Sequence, residues 1–246
     1  MMEESLKSRY KVFRGAYNYL RNGNIFSEET FEVFKERKEG TYSFEAEMHS
    51  RVATGQLLTI KVLYNLNKDY IPTVVLVEKF LGEDITKEAW TYDQRKTKLN
   101  YSFLDKNGEK SEVEMSTSPK FHIATPCTSP SMLFLRSKKF DTTTKNIYQV
   151  WSSRNKWTFE QDPIISGIAV KKISSSFETL VVEDQKLQAM EYQMMEDIEE
   201  DTSKKAEPLV LPYIKIYLSK HVTIPYMIRD DEDGTKIQIK YLNDLE

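Results

Sequence analysis

Between Thr41 and Gly55 the chain alternates with the period of a strand. Tyr42, Phe44, Ala46, Met48 and Val52 fall on one parity, and Thr41, Ser43, Glu45, Glu47, His49 and Arg51 on the other. Successive side chains leave a strand on opposite sides, so such a run has one apolar and one polar face. At roughly 3.3 Å per residue, fifteen extended residues would span about 40 Å, twice a common strand. After Gly55 the alternation resumes with Leu58, Ile60, Val62, Tyr64 and Leu66. The two runs together predict a long amphipathic hairpin.

The same texture fills most of the chain. Strands are expected at Tyr10–Leu20, Thr30–Glu36, Glu88–Gln94, Leu99–Leu104, Ser111–Met115, Asn146–Ser152, Ile164–Ile173, Phe177–Glu183, Pro208–Leu218, Thr223–Ile228 and Lys236–Leu242. Thr73–Leu81 is more continuously apolar and reads as a central strand covered on both faces. Leu187–Met195 fits a helix through Leu187, Met190 and Met194 or a strand through Met190, Tyr192 and Met194. The strand is preferred, because the helical reading runs into acidic residues. Asn22-Gly23, Glu39-Gly40, Asn107-Gly108 and Asp233-Gly234 supply turns, since these pairs accept the positive φ of tight hairpins.

One stretch breaks the pattern. Ser129-Pro130 resembles a helix start, with a capping oxygen and a proline tolerated in the first turn. Met132, Leu133, Phe134 and Leu135 follow, and then Arg136, Lys138 and Lys139 where cations suit a helix C-terminus. A short, buried, apolar helix is therefore expected at about residues 130–138. Residues 1–9 read as a flexible N-terminus, and Glu196–Glu207 as a solvated, mobile acidic loop. The expected architecture is mainly β: a single domain, residues 10–246, in which one long-stranded, curved antiparallel sheet, a half-barrel, wraps that helix.

Composition adds limits. Among 246 residues the apolar share is 39%, and 14 Tyr and 12 Phe suit sheets. Acids and bases are interleaved to a net charge of −3, which argues against a nucleic-acid partner. Cys127 is the sole cysteine, so no internal disulfide can form. No stretch has the length of an apolar membrane span. The N-terminal residues lack a signal-peptide pattern, so the expectation is cytoplasmic, or periplasmic if a leader has been removed.

Candidate chemistry is sparse. His49, His122 and His221 have no metal-site spacing, so neither metal nor other cofactor is expected. His49 shares the polar face with Glu45 and Glu47. It reads as an exposed strand histidine, with a general base as the sharper alternative. His122 and Cys127 are five residues apart, and an imidazole there would raise the thiolate population. No Gly-x-Ser-x-Gly, phosphate-binding or dinucleotide motif occurs. The aromatic residues are a collective signal: a long curved sheet with one apolar face can enclose an apolar ligand. Phe44, Met48, Tyr64, Trp90, Tyr101, Phe134 and Trp151 would line that site, and Arg136 would meet an anionic headgroup.

Long amphipathic strands, then Ser131-Met-Leu-Phe-Leu-Arg136, then further strands at Asn146–Ser152 and Gly167–Lys172: this order resembles a bacterial family of unknown function with the half-barrel fold of the periplasmic lipoprotein carriers. Ser131, Leu133 or Phe134, Leu135 and Arg136 are the nearest match to that family's inner-helix segment. The resemblance implies an apolar or lipid ligand and supplies no catalytic residue. Three functions stay open at this point: a binding protein for an apolar or lipid-like ligand, an enzyme acting on a hydrophobic small molecule through His49 or His122, and a structural or protein-interaction module.

Overall fold

The structure, a computed structural model, describes residues 9–136, 140, 141, 143, 145–197, 213–218 and 223–245. The predicted hairpin is there. Its strands are β3 (Tyr42–Arg51) and β4 (Leu57–Leu66), with Phe44 opposite Tyr64 and Ala46 opposite Val62. β3 stops earlier than its alternation suggested. The Val52 N–H bonds the Gln56 carbonyl, and the Gly55 N–H bonds the carbonyl of Val52, so 52–56 is a turn.

A meander precedes and follows this hairpin. It comprises β1 (Arg9–Arg21), β2 (Asn24–Glu36), β5 (Pro72–Leu81), β6 (Asp84–Asp93), β7 (Lys98–Leu104) and β8 (Lys110–Ser116). A two-residue strand, β9 (His122–Ile123), comes next. Then follow β10 (Asn146–Ser152), β11 (Ile164–Lys172), β12 (Glu178–Val182), β13 (Gln185–Glu196), β14 (Ile214–Leu218), β15 (Pro225–Arg229) and β16 (Thr235–Asp244). In space the order is β8-β7-β6-β5-β4-β3-β2-β1-β16-β15-β14-β13-β11-β10-β9, with β12 paired to β13 alone. Every pairing is antiparallel except β9 with β10. The sheet is curved and open. Asn22 and Gly23 both take positive φ, as their hairpin requires.

One face carries the core: Phe31 and Val33 of β2, Phe44 and Ala46 of β3, Ile60, Val62 and Tyr64 of β4, Val75 and Val77 of β5, and Trp90 of β6. β5 was expected to be covered on both sides. Its inner Val75 and Val77 are buried, whereas Val74 and Leu76 on the outer face are half-buried.

Among the described residues of the expected inner helix, 130–136, no α-helix is present, and 137 and 138 lie outside the described residues. Among the described residues the helical structure is one 3-10 turn, Leu133–Arg136. Its bonds run from Ser131 N to Thr128 O, Leu133 N to Pro130 O and Leu135 N to Met132 O, each spanning three residues. Two causes are visible. The amides of Thr128 and Ser129, just ahead of the expected first turn, bond the Glu29 carboxylate on β2 and fix the segment's entry against the wall. The consecutive apolar residues also serve two separate clusters. Leu133 joins the main core, whereas Met132 and Phe134 pack with Tyr148, Val170, Ile216 and Leu218. A helix offers one apolar stripe, and a tight turn wedged between two clusters can face both. Of the predicted N-terminal segment, residues 1–8 lie outside the described residues, as do 198–207 of the acidic loop.

Candidate functional site

Residues 117–136 form a strap across the inner face of the sheet. The Thr117 hydroxyl accepts the Trp151 indole N–H at 2.9 Å, and the Ala124 N–H bonds the Trp151 carbonyl at 2.8 Å. Two polar anchors then hold the strap to the wall.

The first anchor is Glu29, fully buried on β2. Its carboxylate accepts the Thr128 N–H at 2.7 Å, the Ser129 N–H at 3.0 Å and the Tyr19 hydroxyl. Tyr19 in turn meets the Thr128 hydroxyl at 2.8 Å. Desolvation raises the Glu29 pKa above the usual carboxylate range, and these hydrogen bonds pull it back part of the way. Burial and the Glu29 charge push the thiol of neighbouring Cys127 well up. That is the reverse of what a thiolate nucleophile needs.

The second anchor is Tyr64 on β4. Its hydroxyl accepts the Ile123 N–H at 3.1 Å and lies 2.9 Å from Nδ1 of His122. The hydroxyl can donate to Nδ1 or accept from it, according to the tautomer of the ring. The ring stacks on Tyr64 and meets Phe134 edge-on. Burial lowers the His122 pKa to about 3. Among the described residues no carboxylate hydrogen-bonds it.

A third polar cluster closes the far end of the inner face. Lys79 and Glu88 pair at 2.6 Å, both largely buried. Tyr101 bonds Glu88 and Ser153, Lys79 bonds the Asn155 carbonyl, and Asn155 organises the 153–163 loop through Glu160 and Gln161.

The residues predicted to line a ligand site come together only in part. Phe44, Tyr64, Trp90, Tyr101 and Trp151 share the main core, with Met48 half-buried against it. Phe134 belongs to the second cluster. Arg136 lies over the Tyr70 ring and bonds its hydroxyl at 3.3 Å. Two clefts lie elsewhere, towards the outer face and at the ends of strands, and none of these residues lines them. A trough of about 660 Å³ crosses β1 to β5 between Arg14, Glu32, Glu47, Lys61, Leu63 and Leu76. A cleft of about 490 Å³ lies at the strand ends by Arg9, Phe34, Glu36 and Tyr42. His49 is exposed, against Glu47 at 3.4 Å and Thr59 at 3.1 Å. His221 falls outside the described residues. Sequence reasoning missed Glu29, although its parity with Phe31 and Val33 sets an acid on the apolar face.

No family model and no curated protein matches the chain. Solved structures do. The beta-barrel-like protein of domain of unknown function DUF1849 from Brucella abortus superposes with a TM-score of 0.51 at 8% identity, covering 97% of this chain and 100% of its own. A DUF1089-family protein from Pseudomonas aeruginosa gives 0.49 at 10% identity, over 84% and 90%. The first likeness defines the class: a barrel-like antiparallel sheet shared with a bacterial protein of unknown function. The narrower resemblance to lipoprotein carriers finds no support in these similarities.

Proposed function

We propose that this is a non-catalytic binding protein for an apolar or lipid-like ligand, which would lie on the inner wall in exchange for part of the strap. The observation that supports this reading is the strap's construction. It covers an aromatic wall with one 3-10 turn and a two-residue strand, and its polar ties to that wall gather at Glu29, Tyr64 and Trp151. Native mass spectrometry of protein purified from its own host, followed by solvent extraction, tests it. A retained lipid-like mass is expected, as is a change in buried tryptophan fluorescence when a long-chain amphiphile is added. Absence of both would count against the reading.

A second reading, an interaction module, is favoured by another observation. Ile25, Phe26, Leu57 and Ile85 are exposed near the tips of three neighbouring hairpins. Exposed apolar groups gathered in one region mark contact surfaces. Concentration-dependent association that Leu57→Lys abolishes would support it.

A further inference from the structure

The two ends of the sheet differ in charge. At one end lie the turns joining β2 to β3, β4 to β5 and β6 to β7. They carry Arg37, Lys38, Lys68, Arg95 and Lys96 against Glu39 and Asp69. At the other end the turn joining β5 to β6 carries Glu83, that joining β7 to β8 carries Asp105, Lys106 and Glu109, and that joining β15 to β16 has four consecutive acids from Asp230 to Asp233. Four cations at the acidic end are paired, Lys106 with Asp84, Arg21 with Asp233, and Lys215 and Arg229 with Asp231, whereas Arg51 has no acidic partner among the described residues. At the basic end Lys38, Lys68 and Arg95 have no acidic partner among the described residues, and Lys96 meets Asp93 at 3.6 Å.

The basic end is also the tyrosine end. Tyr42 and Tyr70 stack with ring centroids 5.4 Å apart. Tyr70 holds a left-handed φ of 59° in its turn, which a tyrosine seldom adopts. Cations lie over these rings and their neighbours: Lys35 over Tyr42, Arg37 over Tyr10 and Arg136 over Tyr70.

From this polarity we infer that the basic end is a docking surface for an anionic phospholipid membrane. Three turns spaced two strands apart span about 20 Å, and the cleft of about 490 Å³ beside the first two is lined by Glu36 and Glu39 next to Arg9, not by a track of cations. A nucleic acid chain is held by a groove that follows its backbone. A headgroup surface is flat, attracts each nearby Lys or Arg, and receives amphipathic aromatic rings at its polar level. The inference stands whether or not an apolar ligand occupies the inner wall.

The test is flotation of the whole protein with phosphatidylcholine vesicles, with and without phosphatidylserine, at two salt concentrations. Binding is expected only to the anionic vesicles and is weakened by salt. Each exposed cation is worth roughly a five-fold change in partition, so Lys68→Gln, Arg95→Gln and Lys96→Gln combined should lower it about a hundred-fold. Lys106→Gln at the other end should leave it unchanged. Thermal melting of each variant separates lost binding from lost folding. Equal binding to neutral vesicles, no binding to either, an unaffected triple variant, or tighter binding to an oligothymidylate at the same salt would each overturn the inference.

Discussion

The Glu29 carboxylate accepts the backbone N–H of Thr128, 99 residues away in sequence, at 2.7 Å with no access to water. A side chain of the wall thus does for the strap what secondary structure does elsewhere: it satisfies amides that would otherwise be buried without partners. Replacing Glu29 by Gln turns one acceptor into a donor facing an N–H. It should cost about 2 kcal/mol in urea unfolding.

The pH dependence of Glu29 has a definite sign. Burial raises its folded pKa above the ordinary value of 4.5. The folded state then binds the proton more readily than the unfolded state. Its stabilising contribution is therefore full below that ordinary value and is lost as pH rises through the folded pKa. The protonated carboxyl donates to Tyr19, whose own proton turns to Thr128, so the network survives. Unfolding free energies of wild type and Glu29→Gln, compared at several pH values, should diverge in favour of the wild type as pH falls from neutrality. A constant difference would refute this.

His122 acts in the opposite direction. Its folded pKa of about 3 lies below the ordinary 6.5. Between those values the unfolded chain binds the proton and the folded chain does not, so stability falls on acidification. From pH 7 to pH 5 the loss should be about 2 kcal/mol. His122→Gln should remove that slope, leaving the Glu29 contribution visible by itself. If the variant keeps the slope, another group carries it.

Lys79 and Glu88 form a pair whose members cannot be removed singly without harm. Lys79→Met leaves a buried carboxylate unpaired and should cost about 3–5 kcal/mol. Lys79→Met with Glu88→Leu should recover a substantial part of this by replacing both charges with apolar volume. A double-mutant cycle in urea measures the coupling, and additive losses would contradict it.

Gly15 is required by proximity. A Cβ at this position would sit 2.6 Å from Cε1 of Phe31 and 2.8 Å from the Tyr241 carbonyl oxygen. The Phe31 ring stacks on Tyr17 at 5.4 Å and lies over the glycine, so Gly15→Ala should cost at least about 2 kcal/mol by overpacking. Gly15→Ala combined with Phe31→Leu should lose less than the two single costs added together, which differential scanning calorimetry can read.

The antiparallel sheet was legible because its information is local. Alternation at Phe44, Ala46 and Met48 against Ile60, Val62 and Tyr64 names a hairpin and its inner face, and Asn22-Gly23 names a turn by the φ it tolerates. The strap was not legible for the complementary reason. Met132 to Leu135 look like a helix when read alone, and their conformation is decided by Glu29, a hundred residues earlier, and by two clusters drawn from later strands. Glu29 itself left a trace, since Ser27, Glu29, Phe31 and Val33 share a parity on which an acid is out of place. Six of the eight residues expected to line a ligand site are aromatic, and aromatic character marks the core as readily as a ligand site. The polarity of the ends needed the strand directions before separate turn charges could be added on one side.

The pairing of β1 with β16 sets Tyr19 opposite Ile237, so the first described strand rests beside the last. During synthesis the hairpins up to β8 can assemble from near neighbours, while β1 waits for a partner made only after β15. Until then one side of β1 is an open ladder of peptide groups, able to recruit a strand from another chain. The nascent protein is thus exposed to misassembly along β1, and a chain released before residue 235 should aggregate through that edge.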